Sequence, residues 1–413
     1  MSDKSWVELL FSRRMLICVF TGFSSGLPLY LLINLIPAWL KTEGVDIKTI
    51  GFFALIQFPY TWKFIWSPLI DRFPVLGMGR RRGWMLVTQL ALLAAIAGFG
   101  CFTPQLDTWS IAYLALGVAF FSASQDIVLD AFRREILDEE VLGLGNAVHV
   151  NAYRIAGLVP GSLSLILADH LPWSQVFLIT ALFMLPGLLL TVWVREPQLA
   201  RAPKTLREAV VEPFHEFISR QGWRSALLIL AFIFFYKLGD SMATALATPF
   251  YMEMGFSKTE IGIIAKNVGL WASVIGGLLG GLWMIKLGIN RALWLFGVVQ
   301  LVSILGFVWL TGTGPDLVAL ALVIGFEALG VGLGTAAFTA FIARTTDPRY
   351  TATQFALFTS LAAVPRTFFN ASTGYLVAQY GWSGFFWICT ALAVPGMLLL
   401  FKVAPWREES SQP

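Results

Sequence analysis

Residues 173–187 read WSQVFLITALFMLPG, and residues 382–396 read WSGFFWICTALAVPG. Trp173-Ser174 and Pro186-Gly187 recur as Trp382-Ser383 and Pro395-Gly396 at an offset of 209, and Thr180-Ala181-Leu182 recurs as Thr390-Ala391-Leu392 at 210. The spacing repeats elsewhere: Lys48-Thr49-Ile50-Gly51 corresponds to Lys258-Thr259-Glu260-Ile261-Gly262 and Pro37 to Pro249, at an offset near 211. A chain of 413 residues that matches itself at half its length reads as a duplication.

The repeated unit belongs in a membrane. With 57% hydrophobic and 13% charged residues, a soluble fold would have too little polar surface to cover itself. Apolar runs of about 20 residues recur, the length of a helix crossing ~30 Å of hydrocarbon, whereas barrel strands would be near 10 residues and alternate. The pattern predicts twelve transmembrane helices near 15–40, 50–70, 84–103, 109–132, 143–168, 174–194, 224–252, 259–285, 292–312, 316–343, 352–379 and 381–402. Residues 195–223 carry Pro197, Pro203 and Pro213 and form the linker between an N-terminal bundle, 1–194, and a C-terminal one, 224–413. Six helices per copy insert both copies with one orientation, related by an axis along the membrane normal, with the site between them.

Lys and Arg number 21 in the segments on the side of the N-terminus and 3 (Lys41, Lys48, Lys258) on the other. Positive residues accumulate on the cytoplasmic side, so both termini are expected there. The first helix is too long for a signal-peptide core and lacks a small-x-small cleavage site, so it is expected to be retained. The excess cations require no nucleic-acid partner. Cys18, Cys101 and Cys389 are odd in number and lack metal-ligand spacing, and His149, His170 and His215 are scattered, so no metal and no cofactor are expected.

Nine ionisable residues interrupt the spans: Lys63, Asp126, Asp130, Arg154, Lys237, Asp240, Lys266, Glu327 and Arg366. A charge at mid-bilayer costs roughly 2.5–3.5 kcal/mol even on lenient scales, so such groups face a cavity or a partner. They fall in helices 2, 4, 5, 7, 8, 10 and 11, which leaves 3, 6, 9 and 12 to face lipid; helix 1 offers Tyr30 and Asn34 in place of charge. Arg154 and Glu327 are each 11 residues from a helix start, roughly 16 Å deep at ~1.5 Å per residue, near the midplane. Cations prevail on the outer side of the cavity, which favours an anionic solute.

Each charge has two readings. Glu327 reads as a proton carrier, because protonation removes the cost of its burial, or as the partner of Arg154 or Lys237 in a permanent salt bridge. Asp126 and Asp130, one turn apart, are proton-coupling candidates or an inner gate pairing with Lys63, Arg133 or Arg134. Lys237 and Asp240 share one face and can pair, with Asp240 a further proton-coupling candidate. Arg154, Arg366, Lys237 and Lys266 suit substrate carboxylates, while Tyr30, Asn34, Tyr60, Gln125 and Gln354 offer polar contacts. Asp71, Arg72 and Arg80, in the loop after helix 2, are expected with Lys63 to form an inner gate. No nucleophile triad or nucleotide-binding loop points to an enzyme or an ATP-driven pump.

The partition of helices is that of the major facilitator architecture. Gly22-Phe23-Ser24-Ser25-Gly26-Leu27-Pro28, Lys63 to Arg72, Gly79-Arg80-Arg81-Arg82-Gly83-Trp84, Ser122 to Asp130, Tyr236-Lys237-Leu238-Gly239-Asp240 and Ala352 to Leu357 resemble the AmpG family of muropeptide permeases across all twelve helices. The resemblance implies a carrier in the bilayer of a Gram-negative inner membrane, and a monomer is expected. It would bring N-acetylglucosaminyl-anhydro-N-acetylmuramyl peptides from periplasm to cytoplasm with protons, for cell-wall recycling. Enteric members similar to this chain continue with two further helices, whereas here a polar tail follows helix 12. The alternative is a siderophore importer of the same family or a carrier of another anionic amphiphile. A sensor or lipid-flipping protein of transporter shape would instead accumulate no solute.

Overall fold

The computed structural model describes residues 10–45, 53–196, 206–256 and 258–406. In lipid, backbone N–H and C=O groups must be satisfied inside the protein, which leaves helices or closed barrels. All regular structure among the described residues is helical. The transmembrane segments are α1 (Arg13–Leu40), α2 (53–72), α3 (Arg82–Cys101), α4 (Pro104–Ile136), α5 (Glu139–Ala168), α6 (Trp173–Trp193), α7 (Trp223–Ala245), α8 (258–287), α9 (289–310), α10 (Leu317–Thr345), α11 (351–380) and α12 (382–403).

Backbone chemistry sets the breaks. Lys258–Leu310 is hydrogen-bonded as one helix of 53 residues, about 80 Å at ~1.5 Å per residue and far longer than a membrane is thick. It opens between α8 and α9 at Gly288, whose φ of 74° and ψ of 165° suit a residue without Cβ. Gly381 (φ 67°) separates α11 from α12 in the same way. Where the sequence predicts one continuous second helix, α2 is broken into Phe53–Gln57, Phe58–Trp62, Lys63–Ile65 and Ser67–Arg72. Pro59 and Pro68 each open a new turn there, because proline donates no hydrogen bond to the turn before it. The linker contains a helix of its own, Leu206–Gln221.

The duplication is visible in packing. Trp39 of α1 meets Phe177 of α6 edge-on at 4.7 Å and 69°, and Phe250, 211 residues after Trp39, meets Phe386, 209 after Phe177, at 4.9 Å and 73°. Trp173 and Trp382 flank the two pairs at 6.1 Å and 5.0 Å. Gln89 of α3 and Gln300 of α9, also 211 apart, are both buried, and each donates to the first helix of its copy: Gln89 Nε2 to Ser24 Oγ and Gln300 Nε2 to Asp240 Oδ2, both at 3.5 Å. Lipid tails are as apolar as leucine, so such interlocking, rather than exclusion of water, holds membrane helices together.

Two compact units are present, and they do not coincide with the two sequence copies. Unit 1 comprises residues 1–138, 148–214 and 346–360, and unit 2 comprises 139–147, 215–345 and 361–413. The first turns of α11 thus belong with unit 1, where Ala352 and Ala356 pack into a buried cluster with Ile70, Ile127 and Phe132. The first turns of α5 belong with unit 2, where a Cβ on Gly281 would lie 2.6 Å from that of Ala147.

Candidate transport site

In unit 1 the site is built on the α1–α5 seam. A Cβ on Gly22 would lie 2.2 Å from the His149 carbonyl oxygen, and one on Gly26 would lie 2.2 Å from that of Tyr153. These two glycines, four apart, let the helix backbones touch. Beyond them both helices widen into single π turns, Leu31–Leu35 in α1 and Val159–Leu163 in α5. Such turns often mark functional sites. Tyr30 stands between Gly157 and Tyr153, its ring 5.6 Å from that of Tyr153. Half-buried Arg154 follows, and exposed Asn34 lies on the π turn of α1 next to Gly161. The seam therefore gathers Tyr30, Asn34, Tyr153 and Arg154.

Proline also explains Gln125. Pro28 lacks the N–H that would serve the Ser24 carbonyl one turn earlier. Gln125 Nε2 of α4 serves it instead at 2.8 Å and is fully buried. The amide expected to meet substrate thus fastens α4 to α1. One residue on, Asp126 Oδ1 accepts from Ser25 Oγ at 2.5 Å. Asp130 accepts from Arg133 at 2.8 Å and lies 3.9 Å from Lys63 Nζ. The Tyr60 hydroxyl is buried beside Ser122.

The residues expected at an inner gate lie around a buried ion-pair network centred on Arg81. Its guanidinium, 0% exposed, pairs with Asp71 at 2.9 Å and Glu135 at 2.8 Å, and Glu135 also holds Arg80 at 3.0 Å. Burial opposes the charge of Arg81, but Glu135 and Asp71 hold it above its ordinary pKa. Burial and the adjacent Arg81 push Arg80 below its own. Asp71 Oδ2 accepts from the backbone N–H and the hydroxyl of Thr353, at 2.8 and 2.7 Å, which ties the start of α11 into unit 1. The Glu196 carboxylate accepts from the backbone N–H groups of Arg80, Arg81 and Arg82 and so caps α3. Gln354 takes an N–H from Asp347 and gives one to the Pro213 carbonyl of the linker helix, so both ends of its amide serve backbone. Arg72 stacks on Phe73 at 5.5 Å. No spacing in the sequence links Glu135 or Glu196 to the arginine triplet.

In unit 2, α7 breaks at Tyr236 and Lys237, and Lys237 Nζ pairs with Asp240 Oδ2 at 2.9 Å. Asp240 Oδ1 is buried with no hydrogen bond among the described residues. Glu327 of α10 is 9% exposed, and further along the same helix a Cβ on Gly332 would lie 2.3 Å from the Ser273 carbonyl oxygen. The side chains of Lys266 and Arg366 lie outside the described residues.

The helical segments α1–α12 among the described residues, arranged in two related copies, are the architecture of a major facilitator carrier. The model of the Major Facilitator Superfamily matches residues 18–370. A solved proton:xylose symporter of this superfamily, XylE, shares the fold with a TM-score of 0.71 at 13% identity, over 95% of each chain. The anhydromuropeptide permease of Escherichia coli K12 is 42% identical over 401 residues, covering 96% of this chain and 81% of its own. A Haemophilus influenzae protein described as uncharacterized is 50% identical over 98% of this chain and 97% of its own. The chain belongs to the Major Facilitator Superfamily and, within it, to the AmpG family. It is a membrane transporter rather than an enzyme.

Proposed function

We propose that the protein is a proton-coupled importer of anhydro-muropeptides across the bacterial inner membrane, from periplasm to cytoplasm, with both termini cytoplasmic. The observation that carries this reading is 42% identity to an anhydromuropeptide permease over 96% of the chain. The site supports it chemically. Such a solute is a sugar pair with a carboxylate-bearing peptide, and the α1–α5 seam offers Tyr30 and Tyr153 as sugar platforms beside Arg154, a forked donor for a carboxylate. Arg366, Lys266 and Lys237, all in the second sequence copy, are further candidate partners for solute carboxylates. Glu327, Asp126 and Asp240 are the candidates for the proton, and Asp130, already held by Arg133 and Lys63, fits a structural role better.

The test is uptake of labelled anhydro-muropeptide into proteoliposomes with and without an imposed proton gradient. Accumulation driven by an inside-alkaline gradient supports the reading. Uptake indifferent to the gradient removes the proton, and absence of uptake removes the substrate.

A further inference from the structure

We propose that the outer seam between α1 and α6, at the membrane face carrying the N-terminus, binds an anionic phospholipid. Three adjoining cavities run along it within unit 1. At the helix ends a polar cavity of about 300 Å³ contains Arg13, Arg14, Arg195, Glu135 and Asp138. It shares Arg13, Ile17 and Val194 with an apolar crevice of about 620 Å³, into which Phe20 and Trp193 project. That crevice shares Pro186 and Leu189 with a further apolar cavity of about 400 Å³ reaching Ile179. The track is polar at one end and apolar for the rest, the pattern of a headgroup followed by a chain. From Val194 to Ile179 it follows α6 for roughly 22 Å at ~1.5 Å per residue, more than half of a ~30 Å hydrocarbon core.

Charge selects the headgroup. Arg14 is paired with Asp138, and Glu135 is held by Arg80 and Arg81. The acids of the polar cavity are therefore spent. Arg13 and Arg195 are exposed and have no acidic partner among the described residues. Two unmatched arginines at the mouth of an apolar track fit a phosphodiester that carries net negative charge, and a zwitterionic lipid would add a second cation beside them. Trp193, 81% exposed at the end of α6, sits where aromatic side chains anchor at the interface.

Trp193 supplies the assay. The protein is reconstituted in bilayers doped with phosphatidylglycerol or phosphatidylcholine brominated on one chain, and quenching specific to Trp193 is taken as the difference from Trp193→Phe. Phosphatidylglycerol is expected to reach half-maximal quenching at about tenfold lower mole fraction, and Arg13→Gln with Arg195→Gln to bring the two lipids within about twofold. In the unaltered protein the preference is expected to shrink as salt rises from about 0.05 to 1 M, as the Debye length falls. Equal quenching by both lipids, a preference that survives salt and both substitutions, or no Trp193-specific quenching because another segment or a second copy fills the seam, would each overturn the proposal.

Discussion

Arg81 is the residue whose loss should be felt most. Arg81→Met removes the cation shared by Asp71 and Glu135, all three essentially unexposed, and leaves Asp71 without its buried cation while Glu135 keeps only Arg80. Removing one partner of a buried ion pair costs about 3–5 kcal/mol. Asp71→Asn is milder. It keeps an oxygen to accept from Thr353 but loses the charge facing Arg81, at about 1.5–3 kcal/mol for a hydrogen bond to an ionised group. The double variant removes both charges of the pair, so its loss should fall short of the sum by about 1–3 kcal/mol. With ~2.1 cal/mol/K of unfolding entropy per residue, a chain of 413 residues converts each kcal/mol into roughly 1 °C. Thermal midpoints of the detergent-solubilised protein, read by retention of the monodisperse peak, should fall by roughly 3–5 °C for Arg81→Met and 2–3 °C for Asp71→Asn. Strict additivity in the double variant would refute a shared buried network.

Three further outcomes are expected. Glu327→Gln should abolish gradient-driven uptake and leave solute exchange intact; retained driven uptake in proteoliposomes would clear Glu327 of the proton. Gln125→Leu should lower the thermal midpoint by roughly 1–3 °C through an unserved Ser24 carbonyl, and adding Pro28→Ala should recover part of it by restoring the missing N–H; no recovery would mean that Gln125 does not act through Ser24. Gly26→Val should force α1 from the Tyr153 carbonyl at a cost of about 1–3 kcal/mol, seen as lost monodisperse protein, whereas Gly117→Val, where a Cβ meets nothing within 4 Å, should be silent.

Much was legible before any coordinates. Hydropathy and helix length are local quantities, summed over about 20 neighbouring residues, so composition and spacing alone located twelve spans and even the breaks near Gly288 and Gly381. The duplication was legible because two copies that fold alike keep the same packing residues at one offset, as Trp173 with Trp382 and Phe177 with Phe386 demonstrate. Lys237 with Asp240 was legible because three residues on a helix fix the distance.

What sequence could not carry is pairing across the fold. The triplet Arg80-Arg81-Arg82 reads as charge anchors in a gate loop with no named partner, yet Arg81 is buried between Asp71 and Glu135, Arg80 shares Glu135, and Arg82 donates to the Thr191 carbonyl at the end of α6. Gln125 and Gln354 read as ligand contacts, yet each spends its amide on a carbonyl that lies far away in sequence. The reason is physical. Insertion into lipid is decided segment by segment, whereas a buried polar atom is satisfied by whichever donor the packed helices bring within about 3 Å, and only the tertiary structure chooses that donor.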